Sequence, residues 1–139
     1  MTTQEIKTIL KSARTAGLDY LRSGRRYKSR ESYLTCGKAV RYENTGASYE
    51  RAGNPTERAW CDMIDCGTES DRDKKAFTKA YCDASRLIYL IKDDRKRQIL
   101  DLYYLQCKSW AQVAARLEMT TRNVHILHGK MLKYISENA

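Results

Sequence analysis

From Ile6 onward the apolar positions recur at spacings of three and four: Ile6, Ile9, Leu10, Ala13, Ala16, Gly17, Tyr20 and Leu21. That stripe predicts an amphipathic helix over residues 3–22, with Lys7, Lys11, Arg14 and Arg22 mostly off it. Gly24 is expected to end the pattern. Residues 25–33 are dense in charge and tyrosine, and a second helix with a thin apolar face is expected to reach about Tyr42. Residues 43–54, with Gly46, Gly53, two asparagines and Ser48, read as a loop. Asn54-Pro55-Thr56-Glu57 then reads as a helix start, with Asn54 as N-cap and proline where its missing N–H loses nothing. That helix is expected to stop near Cys66, at Gly67-Thr68, and another to begin at Ser70. The later one carries Phe77, Ala84 and Ile91 in one seven-residue column, matching Ile6, Ala13 and Tyr20 on the first helix. Two such stripes can pair with each other as a hairpin or across a homodimer.

Residues 93–135 divide differently. Asp94 to Leu105 carries Ile99, Leu100, Leu102, Tyr103 and Leu105, and Gln106-Cys107-Lys108 reads as a connection. Ser109 stands three residues before Gln112, the spacing of a capping box. The helix so started, Trp110 to Leu117, is expected to bury Trp110, Val113, Ala114 and Leu117. Glu118-Met119-Thr120 is a turn, and Thr120 caps a last helix from Thr121 to about Ile135. Its inward stripe is Val124, Leu127, Met131, Leu132 and Ile135. A short helix, a tight turn and a longer helix make a helix-turn-helix unit.

Charge sharpens this picture. The 139 residues carry 26 Lys+Arg against 17 Asp+Glu, a net charge of +9, so a polyanion is the first partner to consider. The surplus sits at both ends: five in residues 1–50, none in 51–93 and four in 94–139. The cluster around 22–30 reads either as a basic arm or as a solvated loop. On the helix-turn-helix, the outward positions of the last helix are Thr121, Arg122, His125, Ile126 and His128. Arg122 suits a guanine edge and His125 a base edge or phosphate. Lys130 and Lys133 lie further along and suit phosphates, Ser109 and Trp110 begin a helix whose first amides attract an anion, and Thr120 at the start of the last helix joins them as a DNA-binding candidate.

Five cysteines (Cys36, Cys61, Cys66, Cys82 and Cys107) form an odd set with no C-x-x-C pair, which fits reduced thiols better than a disulfide framework. Cys61 and Cys66 miss the one-face helical spacings, and with only two histidines no metal site is expected. No phosphate loop or nucleophile motif is present, so no catalytic residue, no cofactor and no enzyme activity is expected. No apolar run approaches the length of a membrane span, and no secretory signal is expected from Met1-Thr2-Thr3-Gln4-Glu5-Ile6. A soluble, intracellular, cytoplasmic protein is the reading that remains.

The run Ser109-Trp110-Ala111-Gln112-Val113-Ala114-Ala115-Arg116-Leu117-Glu118-Met119-Thr120-Thr121-Arg122-Asn123-Val124-His125 resembles the helix-turn-helix of region four of bacterial sigma factors. Ile99-Leu100-Asp101-Leu102-Tyr103-Tyr104 resembles that region's first helix, and Glu118 stands where the family usually has glycine. The wider layout, with Ser109-Trp110 and His128-Gly129-Lys130 at the sigma-like end, is similar to the RinA/ArpU-type phage transcription activators. The expected fold is all-α. An N-terminal helical hairpin or coiled-coil-like region over 1–92 precedes a sigma region-four-like helix-turn-helix over 93–139. The resemblance implies a sequence-specific, double-stranded DNA-binding transcription activator, a phage or prophage late-gene regulator with bacterial RNA polymerase as a second candidate partner. The alternatives are a DNA-packaging protein like a small terminase subunit, and a module that only docks on polymerase.

Overall fold

The computed structural model describes residues 1–35 and 55–139, and every regular element among them is helical. The expected loop over 43–54, the Asn54 cap, Cys36 and any helix beyond Thr35 lie outside the described residues. The elements are α1 (Thr3–Thr35), α2 (Pro55–Ile88), α3 (Asp94–Leu100), a π-helical turn (Asp101–Leu105), α4 (Trp110–Arg116) and α5 (Thr121–Asn138). No helix among the described residues is long and apolar enough to cross a membrane.

The two expected stripes pair within the chain. α1 packs along α2 as an antiparallel hairpin, with Tyr20 stacked on Phe77 at a centroid distance of 6.0 Å. Both helices run through the glycines expected to break them. At Gly24 a Cβ would meet nothing, so the glycine marks neither a turn nor a close approach. Its cost inside a helix is only about 1 kcal/mol relative to alanine, which tertiary packing on either side outweighs. Gly67 has a packing role instead. A Cβ there would lie 3.2 Å from the Tyr27 ring, so its absence lets the ring rest on α2. Ser70 and its acidic neighbours are therefore interior residues of α2, not a helix start.

A single apolar cluster joins the hairpin's base to the C-terminal helices. Ile6, Leu10 and Ala13 of α1 meet Ala84, Leu87 and Ile88 of α2, Ile99, Leu100 and Tyr104, and Val124, Leu132 and Ile135 of α5. The distal half of the hairpin lies outside this core: no residue from Glu57 to Asp83 is fully buried. Between α2 and α3, Arg97 donates from Nε and Nη2 to the Ile91 carbonyl at 3.1 and 2.9 Å and fixes the corner. Asp93 caps α3 by accepting from the Arg95 and Lys96 amides.

The helix expected over Asp94–Leu105 changes type part-way. From Asp101 it widens into a π turn, closed by Gln106 N–H donating to the Asp101 carbonyl at 2.9 Å. The wider turn shifts the helical phase. Tyr104 thereby enters the core at 2% exposure, and Tyr103 is directed outward toward α4.

Candidate nucleic-acid interface

The turn between α4 and α5 is set by backbone chemistry. Ser109 Oγ accepts from Gln112 N–H at 3.3 Å, and Gln112 Oε1 accepts from Ser109 N–H at 3.0 Å, completing the expected capping box. At the other end, Met119 N–H donates to the Ala114 carbonyl at 2.9 Å and Glu118 N–H to the Ala115 carbonyl at 3.4 Å. These two bonds make a Schellman ending, with Met119 folded back on the core beside Ala114. The motif requires a left-handed residue, and Glu118 supplies it at φ 54°. Thr120 then caps α5 by accepting from Asn123 N–H at 3.3 Å.

Glu118→Gly tests this turn. A left-handed residue with a Cβ costs about 1–2 kcal/mol. Glycine removes that cost but loses about 0.5–1 kcal/mol to unfolded-state entropy, so the variant is expected to gain roughly 0.5–1 kcal/mol in urea unfolding.

Around α5 the burial is one-sided. Val124, Met131, Leu132 and Ile135 are buried and Leu127 half-buried, as the spacing predicts. Thr121, Arg122, His125 and Ile126 are exposed on the first two turns, and Lys130 and Lys133 on the next. His128 departs from the expectation. It does not join the outward row but turns inward, where Nε2 shares a 2.9 Å hydrogen bond with Tyr104 Oη. The reason is the phase shift at the π turn, which brings the Tyr104 hydroxyl beneath α5. Burial, with the nearby His125 and Lys7, lowers the His128 pKa to about 4. Burial likewise raises Tyr104 to about 12, so both groups are neutral near pH 7.

That burial has a consequence for stability. An unfolded histidine titrates near 6.5, so between about pH 6.5 and 4 the unfolded chain binds a proton that the native His128 refuses. Stability is therefore expected to fall as pH drops through that window. In His128→Gln the loss in urea midpoint between pH 7 and pH 5 should be visibly smaller; an equal loss would remove His128 as its source.

Trp110 is half-buried, with its ring stacked on Tyr103 at 3.6 Å and 13°. His125 lies 4.8 Å from Trp110 and His128 5.0 Å from it, centroid to centroid. Below Tyr103 the Arg14 guanidinium sits 4.0 Å from the ring centroid. Arg14 Nη1 also donates to the carbonyls of Tyr103 and, at 2.9 Å, Lys108. α1 thus caps the end of the π turn and supports the rings on which His125 rests. Leu117 is likewise half-buried where full burial was expected.

The structure therefore gathers Trp110, His125 and His128 into one aromatic group, and sets Thr121, Arg122, Ile126, Lys130 and Lys133 on the open face of α5. Ser109 and Thr120 serve as the two caps. Arg14, Tyr103 and Tyr104 were not expected at this site. No local pattern marks Arg14, because its partners lie 89 and 94 residues away. Comparison of the chain with protein-family models, with curated proteins and with solved structures finds no match.

Proposed function

We propose that this chain is a sequence-specific, double-stranded DNA-binding transcription activator that reads a major groove with the first half of α5. The observation that carries the reading is the contrast along that helix. One side is locked into the core by Val124, Met131, Leu132 and Ile135, while Thr121, Arg122, His125 and Ile126 project from a tightly turned start. A recognition helix needs this combination: a fixed angle to its supporting helix and polar side chains at its N-terminal end. The net charge of +9 favours a phosphate backbone, and the resemblance to sigma region four agrees with the element order. The same resemblance supports a role in phage or prophage late-gene control, with RNA polymerase as second partner.

Selection of duplexes from a random pool by the full chain, followed by footprinting, tests the proposal. One enriched sequence with a footprint is the expected result. Retention of all sequences alike, or of none at low salt, would refute it.

A further inference from the structure

We infer that the corner between α2 and α3, with the middle of α5, is a second sugar–phosphate contact, on the strand opposite the one flanked by α4. The inference rests on the DNA-binding reading above. A cleft of about 280 Å³ lies where Ile91, Lys92 and Asp93 meet α5, and Lys96, Lys130, Met131 and Tyr134 complete its lining. Ile91 and Met131 make an apolar floor, buried to 3% and 2% exposure. Lys92, Lys96 and Lys130 are all exposed. Asp93 is the one acid in the lining; its Oδ2 pairs with Lys96 Nζ at 3.0 Å. That pair is about half exposed on both sides, so it is weak and a phosphate competes readily for Lys96.

An apolar floor with a cationic rim suits a chain that alternates deoxyribose C–H surface with phosphate oxygens. A free inorganic anion would use the lysines alone. The location agrees with this chemistry. Counting about 100° per residue around α5, His125 faces the α4 flank, where it meets Trp110. Lys130 and Tyr134 fall on the opposite flank, toward α3, and Arg122 and Ile126 project between the two. On the far side, Lys108, Gln112 and Arg116 line a shallow depression on α4. The elements on both flanks of α5 therefore carry exposed basic side chains. Two strands bordering a major groove about 12 Å wide require such a pair of rows.

The test titrates salt against affinity for the selected duplex, using the full chain and Lys92→Gln, Lys96→Gln, Lys130→Gln and the triple variant. Each lost phosphate contact should reduce the slope of log affinity against log salt by about 0.9, and affinity should fall evenly on preferred and unrelated duplexes. The triple variant should lose about two to three in slope and the backbone protection on one strand only. Lys75→Gln, an exposed lysine on α2, should leave the slope unchanged. A triple variant that binds the duplex with the parent's slope overturns this inference and leaves the DNA-binding reading standing. A parent that binds no duplex at low salt overturns both.

Discussion

Tyr104→Ala is expected to cost about 3–5 kcal/mol in urea unfolding, enough to leave a domain of ordinary stability close to unfolded. Three effects add. The ring is 2% exposed and fills the space among α1, the π turn and α5. Its removal leaves a cavity that the surrounding helices close only in part. It also strips His128 Nε2 of the 2.9 Å partner that makes its burial tolerable. Tyr104→Phe separates the terms, because it keeps the ring and removes only the hydroxyl; a cost of about 1 kcal/mol is expected. Tyr33→Ala, at a side chain 52% exposed on the distal hairpin, should change the urea midpoint little. If Tyr104→Ala behaved like Tyr33→Ala, the assigned core would be wrong.

The second large effect concerns Arg122. Its side chain projects, exposed, from the first turn of α5, ready for a planar, two-pronged contact to guanine. Arg122→Ala should weaken binding to the selected duplex by about 1–3 kcal/mol, roughly 5- to 150-fold, and much less on unrelated DNA. Arg122→Lys is the sharper variant. It keeps the charge but loses the fork, so affinity for unrelated DNA should hold while preference at one base pair relaxes. Competition binding with single-position substitutions in the duplex measures both. Equal losses on all sequences would make Arg122 a phosphate contact. His125 should contribute less, and its contribution should depend on Trp110. In Trp110→Leu the ring 4.8 Å from His125 is gone, and discrimination at its base pair should weaken even where helicity is retained.

How far the sequence disclosed this arrangement depended on the range of the interactions. Caps and turns act over three to five residues, so the pairing of Ser109 with Gln112 and the cap at Thr120 were legible in advance. The inward stripe of α5 was legible too, because helical periodicity needs no distant partner. Gly24 and Gly67 misled because a glycine's local cost is small beside the packing of long helices, and the Tyr27 ring that explains Gly67 lies 40 residues earlier. The π turn has no sequence signature of its own, and the side chains that its phase shift places were misread with it: Tyr104 in the core, Tyr103 beneath Trp110, and His128 turned inward. Arg14 was invisible for a related reason. It looked like one of several cations off the apolar stripe of α1, and only the closed fold brings two carbonyls and a tyrosine face to it.

Amide-resolved NMR titration of the full chain with its selected duplex bears most directly on the role of α5. Shifts should concentrate on Thr121 to Lys130, with further changes on Lys108 to Gln112 and at Lys92 and Lys96, and the distal hairpin should stay still. Shifts confined to the arginine-rich stretch of α1 around residues 22–30, with α5 silent, would contradict a recognition helix at that position and move the DNA-binding surface elsewhere.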